Sequence, residues 1–212
     1  LTQRDDAYSQ GLSGIFEVSA TDNDLNIVGR YAFTSGMQSE TITDDLAEAI
    51  EELIPDVIYA PLIAGVGNGD LIIALQRAFP DVVMLGGDGL TYENLLDSSP
   101  TLVNTYATTM PAHPSEIETA ATFIDAYQAA FNEMPSGPVM TTYDGMRAIL
   151  TALDSTPQPV TRQGVLRSLK TLDKVEGAQG SWTFTDTGDI NVTAIRLVQL
   201  AENGWETIDV LR

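Results

Sequence analysis

Two apolar runs of strand length, DVIYAPLI (56–63) and DVVMLGG (81–87), limit what this chain can fold into more than any other feature. A strand with one wet face alternates apolar and polar residues, so a near-continuous apolar run marks a strand covered on both faces. The segment between them, 70–79, opens on Asp70 and reads as a helix. Upstream, 41–53 sets Leu46, Ala49, Ile50 and Leu53 on one helical face, with Thr43 and Asp44 as cap and Pro55 as stop. Residues 5–21 read as a helix opened by an aspartate pair, with Leu12, Ile15, Phe16 and Ala20 along it, and 26–33 as a strand. A short helix at 92–96 and a strand at 103–108 follow. This alternation predicts an α/β fold, a Rossmann-like βαβ arrangement with a mostly parallel sheet and helices on both faces. Ligands of such sheets bind just beyond the carboxyl ends of the strands. Three loops are thereby singled out: the turn before Tyr8, 61–69 and 86–91.

The texture changes at MPAHPS (110–115), a proline-rich connector carrying the single histidine, His113. Helices are expected at 116–132 and 139–153, parted by the breaker MPSGP, and at 161–172 after STPQP. The rest, SWTF, TDTGD, NVTAIRLVQL, ENG and WETIDVL, alternates as antiparallel strands joined by Asp-Thr-Gly and Asn-Gly turns.

The 212 residues suffice for one good-sized domain or two small lobes. Thirty acidic against ten basic side chains give a formal net charge of −20. With only Lys170 and Lys174 as lysines, no basic patch could hold a polyanion or an anionic lipid surface. The absence of cysteine removes thiol nucleophiles, disulfides and thiolate zinc sites. No stretch approaches the roughly 18 uninterrupted apolar residues of a membrane span. The chain starts at Leu1 with neither a methionine nor a signal peptide, so a processed N-terminus or a piece of a longer protein is expected.

Motifs for catalysis are scarce. GVGNG (65–69) follows a strand and precedes a helix, but it has neither dinucleotide spacing nor a P-loop lysine. TDNDLN (21–26) lacks the glycine and closing glutamate of a calcium loop and reads as a turn, as does FTDTGD. One histidine and no G-x-S-x-G leave no triad and no two-histidine metal site. Acid pairs such as Asp44/Asp45 and Glu51/Glu52 lie on exposed helix faces; a two-carboxylate hydrolase would need one such pair, and nothing selects it. Asp88 differs. It follows a buried strand inside GGDGL, where a carboxylate between glycines can accept charge-assisted hydrogen bonds from an ammonium group or can simply cap a turn. Tyr8 starts a helix beside the same rim, where it can wall a ligand or pack.

Taken in order, these landmarks resemble a family. DDAYSQGL (5–12), PDVIYAPL (55–62), QRAFPDV, LGGDGL (85–90), FIDAYQAAFNEMP (123–135), TTYDGMRAILTAL (141–153), VEGAQGSWTFTDTGD (175–189) and LVQLAENGWETI together resemble the Leu/Ile/Val-type receptors of ABC importers, type I periplasmic binding proteins. The resemblance starts part-way through the family's pattern. It implies that 1–110 plus 192–212 form the second lobe, and that 111–191 return to a first lobe whose main segment is missing. It implies a solute-binding protein, not an enzyme, that closes on a small ligand, an amino acid or a small amide, for a membrane permease. It needs no cofactor and no metal. Location would be periplasmic or extracellular, including attachment through a lipidated N-terminus ahead of Leu1. A sensor domain of the same fold, for signalling or for amide or urea binding, is the alternative. Residue by residue, the resemblance makes Tyr8 the aromatic wall of the cleft and Leu62 or Ile63 the ligand-facing residue after the strand. Asp88, followed by Gly89, becomes the acid for an α-amino group, where family members often carry a glutamate. Pro138 falls where some members place an aromatic over the ligand side chain, which puts a branched-aliphatic preference in question.

Overall fold

The computed structural model describes residues 1–64, 68–91, 104–110, 114–191, 195–202 and 204–211. In chain order its elements are β1 (Thr2–Gln3), α1 (Ala7–Asp22), β2 (Ala32–Phe33), α2 (Ser39–Leu53), β3 (Val57–Tyr59), α3 (Asn68–Ala78), β4 (Val83–Gly86), β5 (Thr105–Thr109), α4 (Ala121–Phe131), α5 (Gly137–Ser155), α6 (Arg162–Lys170), β6 (Val175–Gly177), β7 (Gly180–Trp182), β8 (Ile195–Ala201) and β9 (Gly204–Leu211). They group into two compact units, Leu1–Thr109 with Arg196–Leu211, and Met110–Ile195.

The first unit is built on a sheet of order β3-β4-β5-β8-β9, parallel from β3 to β5 and antiparallel where β8 joins β5. The parallel pair β1-β2 sits against the β3 edge, where the Leu1 nitrogen donates to the Tyr59 carbonyl at 2.8 Å. One core unites Met84, Ala107, Val198 and Leu200 of the strands with Ile42 and Leu46 of α2 and Leu71, Ile72 and Leu75 of α3. Helix α1 starts where Asp6 accepts the Ser9 N–H at 2.9 Å, and it buries small residues, Ser9, Ser13 and Ala20, which permit close packing.

The expected strands are shorter than their apolar runs. Only Ala32–Phe33 of 26–33 is strand; in that segment Asn26 and Val28–Arg30 are exposed and Phe33 is buried. DVIYAPLI gives three strand residues, because the chain turns at Ala60, whose carbonyl accepts from Leu62 N at 2.9 Å, and Pro61 has no N–H for a ladder. Val57 is exposed, so this run is not covered on both faces along its length. Helix α2 begins at Ser39, and Thr43 lies inside it, returning a hydrogen bond to the Ser39 carbonyl rather than capping. The expected helix at 92–96, the start of the strand at 103, His113 and Gly65 to Gly67 lie outside the described residues.

In the second unit the expected helix at 116–132 opens as two 3-10 turns, Pro114–Glu116 and Glu118–Ala120, and becomes α-helical only from Ala121. Asn132, in the left-handed conformation, closes it. Helix α5 carries Pro138 in its first turn, where a missing N–H costs nothing. Its buried residues, Met140, Asp144, Ala148 and Ala152, recur every fourth position, and the β6-β7 hairpin packs on that stripe. TDTGD is a turn, as expected: Thr185 N donates to the Asp189 carbonyl, and Gly188 supplies φ +94°.

Ten bases cannot neutralise thirty acids. Helix α2 shows the consequence: Glu40, Asp44, Asp45, Glu48, Glu51 and Glu52 are all exposed, and the helix has no base of its own. Like charges at this density repel, and salt shortens their reach from about 10 Å at 0.1 M to about 3 Å at 1 M. Melting followed by circular dichroism should therefore shift upward by several degrees between 0.05 and 1 M NaCl, and less so after Glu48→Lys and Glu52→Lys. A midpoint indifferent to salt would show that the self-repulsion has no weight in stability.

Candidate functional site

The carboxyl ends of β3 and β4 and the turn ahead of α1 meet at one rim. Leaving β4, the chain runs through Gly87 into a 3-10 turn, Asp88–Leu90, held by Leu90 N to Gly87 O and by Thr91 N to Asp88 O. Gly86 and Gly89 let this segment lie against the β3 exit. A Cβ on Gly86 would stand 2.9 Å from the Ala60 carbonyl oxygen, and one on Gly89 would stand 2.6 Å from that of Leu62.

Tyr8, one residue inside α1, reaches this turn. Its hydroxyl donates to Asp88 Oδ1 at 2.7 Å and accepts the Gly89 N–H at 3.0 Å. The two contacts fix the direction of the proton: an N–H can only donate, so the Tyr8 hydroxyl must spend its hydrogen on the carboxylate. Burial, with the Asp88 charge alongside, keeps the Tyr8 phenol protonated far above its ordinary range. The Tyr59 phenol is raised as well, by burial first and then by Asp88. Its ring stacks on Phe16 at 4.0 Å between centroids, so a second aromatic is held on the same flank. Asp88 is exposed, and among the described residues no ion pair involves it. The rim therefore offers a solvent-facing negative charge with a fixed donor behind it.

The other expected site residues distribute unevenly. Leu62 is fully buried in the core of the first unit, whereas Ile63 beside it keeps part of its surface. Gly89 is buried beneath the rim. Pro138 is exposed in the first turn of α5, in the second unit.

Sequence reading missed the polar supports. Asn68 at the start of α3 donates to Gln3 Oε1 at 2.9 Å and to the Ile63 carbonyl at 3.2 Å, and all but Ile63 of that set are buried. Gln3 N in turn donates to Ser9 Oγ. These bonds tie the Ile63 loop to β1 and α1, the element that carries Tyr8. Nothing in the local pattern of Gln3 or Asn68 announces a partner 65 positions away. Among the described residues no group of acids or histidines could hold a metal ion, and no helix is long and apolar enough to cross a membrane.

A model of the periplasmic binding protein family matches residues 1–205. No match was found among curated protein sequences. Among solved structures, a leucine-binding protein from Thermotoga maritima superposes with a TM-score of 0.84 at 21% identity over 100% of this chain. A branched-chain amino acid transporter substrate-binding protein from Streptococcus pneumoniae, in complex with isoleucine, gives 0.76 at 22% over 99%. A solute-binding protein from R. palustris in complex with benzoate gives 0.79 at 14% over 97%. The chain spans 59%, 58% and 56% of these proteins' own lengths, respectively. The likeness is one of fold, and these proteins' ligands differ from one another.

Proposed function

The chain belongs to the periplasmic binding protein family, and from that premise we propose that it is the ligand-capturing part of an extracytoplasmic receptor feeding an ABC importer. Its two units are the second lobe and the returning part of a first lobe. The protein binds and releases rather than transforms its ligand. The ligand is a small molecule with a cationic amine, most simply an amino acid. The observation that carries this reading is Asp88: an exposed acid with no ion-pair partner among the described residues, backed by a hydroxyl whose proton is already committed to it. Such a group favours a donor-rich cation and repels a lone carboxylate. Ile63 and the Tyr8 ring supply apolar surface beside it, and Leu62 and Gly89 seat the two loops.

A thermal-shift screen of L-amino acids, small amides, urea and benzoate tests the reading. A ligand at 100 times its Kd stabilises by about 2.7 kcal/mol. Amine-bearing ligands should raise the midpoint by several degrees, and benzoate should leave it unmoved. A rise with benzoate, amides or urea and none with any amino acid would refute the assignment of Asp88 to an amine.

A further inference from the structure

We propose that Gly87 is a positioning residue for the rim: its missing Cβ is the notch that seats the Tyr8 hydroxyl, and through that hydroxyl Gly87 fixes the Asp88 carboxylate. The proposal rests on the reading of Asp88 as the ligand's anchor. A Cβ built on Gly87 would stand 2.4 Å from Tyr8 Oη, 3.1 Å from Leu12 Cδ1 and 3.5 Å from Tyr8 Cζ. The first of these distances is shorter than any van der Waals contact allows. Backbone conformation does not demand glycine here, since Gly87 is extended with φ −95° and ψ −170°. What demands it is the approach of a side chain from another element.

The Tyr8 hydroxyl has little freedom to give way. It lies between the Gly89 N–H and Asp88 Oδ1, and Tyr8 shares its helix face with Leu12 and Phe16, four and eight residues on. Leu12 also meets the notch, and Phe16 is stacked on Tyr59. A methyl group at position 87 therefore pushes the hydroxyl off both partners. Asp88 loses its donor, and the Gly89 N–H, at the open start of its 3-10 turn, loses its acceptor. Glycine is thus required at 87 for the geometry of its neighbours, and it preorganises the carboxylate of the next residue by way of the Tyr8 hydroxyl.

The test reads the Gly89 amide by hydrogen exchange on the 212-residue chain, with no ligand needed. In Tyr8→Phe the acceptor is gone, and exchange of Gly89 should quicken about tenfold. Gly87→Ala should quicken it equally, and the double variant should be no faster than either single one, because both changes remove the same bond. Should Gly87→Ala fail to fold, adding Tyr8→Phe, which deletes the atom the methyl strikes, should restore folding. A Gly89 amide as protected in Gly87→Ala as in the parent overturns the proposal. So does an additive effect in the double variant, or a double variant that also fails to fold. Calorimetry with L-leucine separates this from the ligand reading. If Gly87 and Tyr8 behave as one unit in exchange while Asp88→Ala leaves leucine binding intact, the notch stands and the role of Asp88 in ligand binding falls.

Discussion

Replacing Asp144 with alanine will destabilise the second unit by about 3 kcal/mol, the largest stability loss expected of any single polar side chain in it. Asp144 is 2% exposed on the buried stripe of α5. Its oxygens accept the Ala178 N–H at 2.5 Å and the Gln179 N–H at 3.1 Å, which are the two turn residues of the β6-β7 hairpin. Removing the acceptor strands a buried donor, and that penalty exceeds the net worth of the bond. Ala178 itself is buried among Ala120 and Met140, so the turn cannot swing out to find water without opening that cluster. Gly177 makes the contact possible: a Cβ there would lie 2.3–2.4 Å from the Asp144 carboxyl carbon and oxygens. Gly177→Ala should cost at least as much as Asp144→Ala, and the pair together clearly less than the sum, because losing the carboxyl opens the space the methyl needs. Urea unfolding followed by Trp182 fluorescence in a Trp205→Phe background isolates this unit, since Trp182 is buried in it and the chain has two tryptophans. An Asp144→Ala variant within about 0.5 kcal/mol of the parent would mean that the hairpin turn is held by packing alone.

That aspartate also shows what the sequence offered and what went unread. Met140, Asp144, Ala148 and Ala152 stand four apart, so an acid sits in the middle of an apolar stripe, and an acid there must find buried donors. The pattern was legible; its partners, 34 and 35 residues away, were not. The strand-helix-strand alternation around 56–87 was sufficient to predict the parallel sheet, because two strand-length apolar runs joined by a helix are the pattern of a βαβ crossover, even though β3 at the sheet's edge is only partly buried. Strand lengths were not legible, since an apolar run does not say where the backbone leaves the ladder: at Ala60 it leaves to form the rim. At 114–120 the propensity for helix yields to 3-10 turns that pack Ala120 into the unit's core. Tyr8 and Asp88 were each singled out by position at a strand or helix end. Their mutual hydrogen bond, across 80 residues, and the notch at Gly87 are products of the fold. Glycine beside Asp88 reads in sequence as room for a ligand, and the structure fills that room with Tyr8.

Asp88 itself carries the largest effect expected on function. A charge-assisted hydrogen bond to a ligand ammonium contributes about 1.5–3 kcal/mol, so Asp88→Ala should weaken amino-acid binding by about 10- to 100-fold. Asp44→Ala, which removes another exposed acid, from α2, changes the net charge by the same amount and should leave affinity unchanged. The difference between the two variants separates a local contact from the general field of a strongly acidic protein. Calorimetric titration of the parent protein, Asp88→Ala and Asp44→Ala with the amino acid that gives the strongest thermal shift is the decisive measurement. Binding by Asp44→Ala at the parent's affinity, with Asp88→Ala at least tenfold weaker, is the predicted result; equal affinities for the two variants would contradict the account.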